Sequence, residues 1–439
     1  MTTTYDPFHP KYFDEADLRG EMNRVFDLCH GCRLCFKYCS SFPTLFEYID
    51  QHDDQDSAKM TPAQQDQVVS ECNNCKLCYI NCPYIPSLHE WALDFPRLML
   101  RAEQVYHAKG DKTLKEKVTD QALGRVDLTG KIGSIAAPVA NKLLGTPKSG
   151  PRKLMEKVVG ISSERILPPQ AKQRFSTWFA KRPERRPAQP KGSVILFPTC
   201  QVEYSNTGIG KDLVKVCDRN EITCTLPPGQ QCCGAPFLHQ GNVEQFRKQG
   251  EANVRVLTKA IREAKARGED PAVVVPQPTC GYVLKYDYPD YLATEDAKLV
   301  AQHTADATEY LMKVHKEGGG LDTTFTGTVP EKVTYHAPCH LRAQNIGLKS
   351  RDLLKLTGTK PTVIAECSGI DGTWGLRAEN LEAARAMGKK LFTGIQNAGN
   401  DTVVGDCSLA NGGIELETGK APQHPVQFLA RAYGIEEES

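Results

Sequence analysis

Two short cysteine runs near the start of the chain have the residue types and the spacing to bind iron. One begins at Cys29 and the other at Cys72, and each follows C-x2-C-x2-C-x3-C. Thiolates at this spacing hold 4Fe–4S clusters, and in two-cluster proteins the fourth cysteine of one run binds the cluster of the other. We therefore predict two clusters, bound by Cys29, Cys32, Cys35 and Cys82 (the Cys29 group) and by Cys72, Cys75, Cys78 and Cys39 (the Cys72 group).

Zinc and disulfide bonds are the alternatives for these cysteines. Zinc sites usually combine separated C-x2-C pairs, whereas each run here has a further cysteine three residues on, and Pro83 follows the second run. Disulfides would suit a secreted chain, but residues 1–6 lack the basic and apolar segments of a secretory signal. Because cluster assembly needs reduced thiolates, we expect the protein in the cytoplasm.

Composition narrows the function classes further. The chain has 439 residues, enough for two or three domains. A net charge of +1 gives no reason to expect a nucleic-acid partner. No apolar stretch approaches the length of a transmembrane helix. No G-x-G-x-x-G or P-loop is present, so we expect no nucleotide or flavin site in this chain.

Helices are predicted to carry both cysteine runs. Asp14 can cap a helix with apolar residues at Leu18, Met22, Val25 and Phe26, which ends near Cys29. Thr61-Pro62-Ala63-Gln64 has the pattern of a capping box with proline at the first helical position, and its helix leads to Cys72. A further helix is predicted from about Pro96.

The segment from residue 131 to 180 contains amphipathic stretches with basic residues nearby. The first stretch has apolar residues at Ile132, Ile135, Ala136, Val139, Leu143 and Leu144. We favour an ordinary helical layer packed on the next domain, because amphipathic helices usually face a core. The alternative is peripheral contact with a membrane, on its inner face, or with a partner protein. The charged, proline-rich residues 181–192 then predict a linker.

Short apolar strands alternate with helices after the linker, and the same scheme occurs twice. In each half, three strands lead directly to cysteine-bearing turns. We interpret this as an internal duplication, with copies at about residues 193–320 (copy one) and 331–435 (copy two). The carboxyl ends of parallel strands meet at one edge of a sheet, so each copy is predicted to gather its cysteines there.

These cysteines form a second candidate set of metal ligands. Copy one supplies Cys200, Cys232, Cys233 and Cys280 (the Cys232 group), and copy two supplies Cys339, Cys367 and Cys407, with Ser368 in the place of Cys233. Gly234 and Gly369 would let backbone amides approach cluster sulfur. Buried core cysteines are the alternative, and we assign Cys217 and Cys224 to that class. His30, His336 and His340 adjoin cysteines and are weaker candidates for tuning a cluster.

The predicted fold is therefore α/β and multidomain. A helical domain with two 4Fe–4S clusters occupies residues 1–130, and a helical segment with the linker occupies residues 131–192. A duplicated α/β domain occupies residues 193–439. One or two further iron–sulfur clusters belong to this last domain if its thiols bind metal.

The motifs together resemble a known family, the iron–sulfur C subunits of anaerobic glycerol-3-phosphate dehydrogenases, within the heterodisulfide-reductase-related oxidoreductases that contain Cys-Cys-Gly (CCG) motifs. The resemblance rests on the two cysteine runs, Cys232-Cys233-Gly234, His336-Ala-Pro-Cys339-His340-Leu-Arg-Ala-Gln344 and Cys367-Ser-Gly-Ile-Asp-Gly-Thr373. It implies an N-terminal α-helical ferredoxin domain and a C-terminal CCG-type domain. The chain departs from the five-cysteine pattern of non-cubane clusters, because Val283 and Ser368 stand where that pattern has cysteine.

Electron transfer is the function that the residues and the resemblance favour. Several one-electron centres sit in a chain that has no visible site for an organic cofactor. The resemblance implies a flavoprotein dehydrogenase partner, of the glycerol 3-phosphate or 2-hydroxy-acid type, and a quinone or other carrier as acceptor. The alternatives are a catalytic thiol–disulfide reductase and an iron–sulfur redox sensor or scaffold.

Overall fold

The N-terminal cysteine runs lie among helices. The computed structural model describes residues 4–110, 112–317, 319–370 and 372–436. Its first helices are α1 (Glu15–Cys32), α2 (Ser41–Asp50), α3 (Pro62–Ser70), α4 (Leu77–Ile80) and α5 (Phe95–Lys109). Asp14 caps α1, and Thr61 and Gln64 form a capping box at the start of α3, as predicted. The apolar faces of these helices meet in one buried core that includes Phe26 and Phe42.

The next helices form a layer whose outer face is apolar. They are α6 (Leu114–Gly124), α7 (Val126–Ile135), α8 (Ala137–Leu144), α9 (Gly150–Val159) and α10 (Phe175–Lys181). Ile132, Ile135 and Val139 are 59%, 87% and 60% exposed, and Leu143 is exposed as well. The prediction that this stripe packs on the following domain is wrong for these residues. An amphipathic pattern sets which residues share a face, but it does not say what covers that face.

The chain then builds two parallel sheets. The first contains β1 (Gly192–Leu196), β2 (Ile222–Thr225), β3 (Pro271–Val275) and β4 (Thr304–Asp306), in the order β2-β1-β3-β4. The second contains β5 (Lys332–His336), β6 (Lys360–Ile364) and β7 (Val403–Gly405), in the order β6-β5-β7. The first three strands of each half are therefore arranged alike, and β4 was not predicted.

Helices connect and cover these strands. Around the first sheet they are α11 (Thr199–Tyr204), α12 (Thr207–Arg219), α13 (Ala235–His239), α14 (Val243–Ala266), α15 (Pro278–Tyr282), α16 (Tyr288–Leu292), α17 (Glu295–His303) and α18 (Ala307–Glu317). Around the second they are α19 (Cys339–Ala343), α20 (Lys349–Leu356), α21 (Leu381–Ala398), α22 (Ser408–Thr418) and α23 (Pro425–Ala432). A mixed α/β fold with small parallel sheets results. Cys217 and Cys224 lie buried in its core, in agreement with their assignment.

The two sheets meet near their carboxyl edges. Gln277 follows β3, and its side-chain amide nitrogen donates to the hydroxyl of Ser408 at 2.8 Å. The side-chain oxygen of Gln277 accepts from the backbone amide of Ser408 at 3.0 Å. Ser408 follows Cys407 directly, and Gln277 lies three residues before Cys280. This reciprocal pair brings the cysteine-bearing turns of the two halves toward each other.

Candidate iron–sulfur centres

The Cys29 group lies at the end of α1, where the loop that precedes α5 brings Cys82 back to the first run. Arg33 takes a left-handed conformation (φ 54°) and its amide donates to the Cys29 carbonyl at 2.8 Å, which turns the chain out of the helix. Burial raises the pKa of the Cys29 thiol, and charges on Cys35, Cys82 and Cys32 raise it further. Cys82, from the second run, is therefore a neighbour of the first run.

The Cys72 group shows the reciprocal arrangement. Burial raises the pKa of the Cys39 thiol, and after burial the charges that act on it are those of Cys72 and Cys75. Cys78 has Cys75, Cys72, Cys35 and Cys39 as its charged neighbours. The fourth cysteine of each run thus lies with the other run, as the predicted exchange of ligands requires. A charge on Cys75 also raises the pKa of the Cys35 thiol, so the two groups are adjacent.

The spacing of these thiols bears on which metal would fit. Within the ranges that the structure describes, no three His, Cys, Asp or Glu side chains are arranged to hold a single metal ion. The thiolates of a cubane cluster bind four separate irons, so they stand further apart than the ligands of one zinc ion. The C-x2-C-x2-C-x3-C spacing of the sequence remains the reason to favour 4Fe–4S clusters over zinc.

The Cys232 group forms a connected row at the carboxyl edge of the first sheet. Cys232 interacts with Cys200 on one side and with Cys233 on the other, and Cys233 interacts in turn with Cys280. Hydrogen bonds from Cys200 and Cys233 lower the pKa of the Cys232 thiol. Cys232, Cys233 and Cys280 belong to a buried apolar core, which Cys200 borders. The topology therefore brings together four thiols from segments that lie far apart in the sequence.

Several neighbours hold the Cys-Cys-Gly turn in place. The carboxylate of Asp127, on α7, accepts from the Cys232 amide at 2.8 Å. Asn253 donates to the Cys232 carbonyl at 3.1 Å, and the Tyr288 hydroxyl donates to the Cys233 carbonyl at 3.0 Å. Gly234 has φ +91°, and a Cβ there would lie 2.7 Å from the ring of Phe246, so only glycine fits.

Sequence reasoning did not find these supporting residues. Asp127 lies far before the turn that it holds, and a single carboxylate on an amphipathic helix carries no motif. Asn253 and Tyr288 lie on helices whose pattern indicates only a buried face. Burial raises the pKa of the Asp127 carboxyl to about 6, and a charge on Cys232 would raise it too.

The copy-two cysteines follow three parallel strands of the second sheet. Cys339 begins α19 after β5, Cys367 lies in the loop after β6, and Cys407 comes directly before α22. The Gly369 amide donates to the Cys367 sulfur at 3.3 Å. Burial raises the pKa of the Cys407 thiol, and its charged neighbours include Cys280 of copy one. The predicted motif 367–373 includes Asp371, which lies outside the described residues.

His340 joins three parts of the molecule that carry cysteines. Its Nε2 lies 3.0 Å from the carbonyl oxygen of Asn74, and its Nδ1 lies 2.9 Å from the hydroxyl of Thr279. A carbonyl can only accept, so Nε2 carries the proton and Nδ1 accepts from Thr279. Asn74 precedes Cys75, Thr279 precedes Cys280, and His340 follows Cys339. One buried imidazole thus connects the Cys72 group with both copies.

The other two histidines have local partners. Nε2 of His30 lies 2.8 Å from the carboxylate of Asp50, and Nε2 of His336 lies 3.2 Å from the carbonyl of Glu366. Burial lowers the pKa of His336 and of His340 to about 4, so both are neutral near pH 7. Of the three, His340 alone bridges separate cysteine groups.

Replacing His340 tests this bridge. His340→Ala leaves the Asn74 carbonyl without its partner, which should lower the free energy of unfolding by about 1–3 kcal/mol. Loss of the fixed spacing should also slow electron transfer between the Cys72 group and copy one by roughly tenfold, a change of about 1.4 kcal/mol in barrier. Denaturant titration and rapid-mixing reduction would measure the two effects. His340→Gln, which keeps a donor and an acceptor, should recover part of both, and wild-type behaviour of His340→Ala would contradict the bridge.

Known proteins share the cysteine-rich sequence of this chain. Residues 194–285 and 333–409 each match the cysteine-rich domain family termed CCG. The chain is 33% identical over 327 residues to the C subunit of the anaerobic glycerol-3-phosphate dehydrogenase of Escherichia coli, a match that covers 74% of this chain and 79% of the relative.

Two further relatives share a shorter region. The B subunit of the fumarate reductase (CoM/CoB) of Methanothermobacter marburgensis is 29% identical over 223 residues, covering 50% of this chain and 40% of the relative. Lactate utilization protein A of Shouchella clausii is 27% identical over 238 residues, covering 51% and 92%. The chain therefore belongs to the family of anaerobic glycerol-3-phosphate dehydrogenase C subunits, among the CCG-containing iron–sulfur oxidoreductase proteins.

Proposed function

We propose that this protein is the iron–sulfur electron-transfer subunit of an oxidoreductase complex. Electrons enter from a flavoprotein dehydrogenase subunit and leave to a quinone or another carrier. The observation that carries the proposal is the succession of thiol groups: the Cys29 group adjoins the Cys72 group, and His340 connects the latter with the Cys232 group. Iron–sulfur clusters held there would accept and release single electrons.

The domain bounds and ligand sets follow from the same proposal. Residues 1–130 form the ferredoxin-type domain, in which the Cys29 and Cys72 groups each hold a 4Fe–4S cluster. Residues 131–192 form the helical layer and linker, and residues 193–439 form the duplicated CCG-type domain. The Cys232 group holds a further iron–sulfur centre. Cys339, Cys367 and Cys407 are the proposed metal ligands of copy two.

The chain's own residues bury and orient the thiols. The apolar core around Phe246 and Leu238 excludes water from the Cys232 group. Asp127, Asn253 and Tyr288 fix the backbone that carries Cys232 and Cys233. In the complex, oxidation of an alcohol to a carbonyl releases two electrons and two protons to the flavin. A quinone takes up two electrons and two protons to become a hydroquinone.

The substrate class of the complex rests on the relatives alone. Two of them carry names that refer to glycerol 3-phosphate and to lactate, which is a 2-hydroxy acid. Both compounds are small alcohols, and flavins accept hydride from substrates of this kind. We place the present complex in the same class, a flavoprotein that oxidises glycerol 3-phosphate or a 2-hydroxy acid.

Purification of the native complex under anaerobic conditions tests the proposal. The chain should co-purify with a flavoprotein, contain iron and sulfide, and show reducible EPR signals. Addition of the flavoprotein's substrate should reduce the iron, and addition of a quinone should reoxidise it. Disulfide reduction by the isolated chain would favour a thiol–disulfide reductase instead. Iron that changes partner binding without any turnover would favour a sensor.

The residue at position 283 argues against the disulfide-reductase alternative. Val283 stands at the position where a fifth cysteine would complete a C-x2-C with Cys280, and its side chain is buried. The Cys232 group therefore has four thiols, and the apolar side chain of Val283 takes the position of a fifth. The electron-carrier function is the better supported of the two.

Peripheral contact with a membrane is part of the proposed function. Within the described ranges, none of the helices combines the length and the apolarity that a bilayer crossing requires. The exposed apolar residues of α7 and α8 (the α7–α8 face) are Ile132, Ile135, Val139 and Leu143. Exposed lysines surround them at Lys131, Lys142, Lys172 and Lys181. An apolar face with basic flanks suits a bilayer that contains anionic lipids.

Acidic substitutions on the α7–α8 face test this contact. Ile132→Glu combined with Ile135→Glu should weaken binding to phosphatidylglycerol-containing vesicles by roughly tenfold or more, since it removes apolar area and adds negative charge. Vesicle co-sedimentation measures the change. Leu88→Glu, at an exposed apolar residue in the loop before α5, is the matched control and should bind like the wild type. Equal binding by all three proteins would remove the membrane from the proposal.

A further inference from the structure

A cavity of about 620 Å³ opens beside the Cys232 group. Its walls come from α7, α10, α11 and the loop that follows β2, and Cys200 lines it directly. The volume lies within the range that binds small molecules. It is therefore large enough for a one- or two-ring ligand in contact with a thiol of the proposed iron–sulfur centre.

The backbone of one residue that lines the cavity is strained. Thr199 has φ +66°, a conformation that β-branched residues rarely adopt, and it precedes Cys200 at the start of α11. Thr199 is buried and lines the cavity. Strain of this kind persists where the surrounding structure enforces it, and it occurs often at ligand-binding sites. Here it places Cys200 at the edge of the cavity.

The lining combines an apolar wall with a few polar groups. Phe179 and Pro227 contribute flat apolar surface. Lys131 and Arg174 supply hydrogen-bond donors, and Arg174 lies 3.9 Å from the carboxylate of Glu203, which also lines the cavity. Two further lining residues bond to each other, since the Tyr204 hydroxyl donates to Asp127 at 3.3 Å. A planar ring with carbonyl oxygens at its edge matches this combination of apolar walls and donors.

The cavity adjoins the α7–α8 face. Lys131 and Arg174 also line a second cavity of about 500 Å³, whose walls include Ile135 and Thr177. Ile135 is the most exposed residue of the apolar face that we assign to the membrane. The second cavity is also lined by Lys172 and Lys181, so Ile135 and the aliphatic stems of the lysines would border an apolar chain that runs from a ring in the first cavity to the bilayer surface.

From this juxtaposition we infer that the cavity beside Cys200 binds the ring of a membrane quinone, with its isoprenoid chain directed toward the α7–α8 face. The inference rests on the proposed function, because it locates the acceptor of that function. A water-soluble disulfide would not need a path from the first cavity to the bilayer surface.

Calorimetric titration of the cluster-loaded full chain with a naphthoquinone that carries one isoprenyl unit tests the site. Ala180 is exposed at the cavity wall, so Ala180→Trp fills the opening without disturbing the core. It should weaken binding at least roughly tenfold, or about 1.4 kcal/mol. Ala63→Trp, at an exposed alanine on α3, is the matched control and should bind like the wild type.

Photolabelling supplies a second measurement that needs no variant. An azido-naphthoquinone should label peptides from the cavity walls, at residues 126–131, 174–184, 197–204 or 224–231, and oxidised glutathione should not displace it. Unchanged affinity in Ala180→Trp, labelling elsewhere, or displacement by oxidised glutathione would overturn the site. Reduction of the iron by the flavoprotein partner is measured in parallel. If that reduction proceeds while the quinone results fail, the site is wrong but electron transfer stands; if it fails as well, the proposed function fails.

Discussion

Replacing Cys39 with serine should remove the cluster of the Cys72 group and leave that of the Cys29 group in place. The Cys39 thiol lies beside Cys72 and Cys75, although its own run is the first. The protein should therefore lose roughly four iron atoms per chain, the content of one cubane. Turnover with the flavoprotein and a quinone should fall by roughly two orders of magnitude, because the succession of one-electron centres is broken.

Paired substitutions make this result specific. Cys78→Ser should remove the same EPR signal as Cys39→Ser, whereas Cys82→Ser should remove the signal that Cys32→Ser removes. Cys82 is the informative partner. It belongs to the second run, but a charge on it raises the pKa of the Cys29 thiol. If Cys39→Ser instead removes the signal that is lost with Cys32→Ser, each run holds its own cluster and the exchange of ligands is wrong.

Local sequence signals predicted much of the fold. The caps at Asp14 and Thr61 depend on side chains within three residues of the helix start, so the sequence determines them directly. The three strands predicted in each half are all present. The missed strand, Thr304–Asp306, has three residues and no apolar run, so nothing local distinguishes it from a loop.

Contacts between distant segments were beyond the sequence pattern. The sequence pattern singled out the candidate cysteines, but it did not indicate that Asp127 accepts from the Cys232 amide or that His340 bridges Asn74 and Thr279. The exposure of Ile135 was missed for a related reason. Periodicity defines an apolar face, and only the three-dimensional packing decides whether another element covers it.

Replacing Cys280 with alanine should remove the iron of copy one. Cys280 is buried at the end of the thiol row, next to Cys233, so its loss leaves three thiols for a centre that needs a fourth ligand. We expect the iron content to fall by roughly four atoms per chain if that centre is a 4Fe–4S cluster. The signals of the Cys29 and Cys72 groups should persist. Quinone reduction should be lost, while the flavoprotein should still reduce the remaining iron.

Cys217→Ala is the matched control for this variant. Cys217 is also a buried cysteine of copy one, but it interacts with Cys224 in the apolar core, away from the thiol row. Its loss should lower the free energy of unfolding by about 1 kcal/mol through the small cavity it leaves. Its iron content should equal that of the wild type. If Cys280→Ala also retains all its iron, the four gathered thiols hold no centre, and the chain carries electrons through its two N-terminal clusters alone.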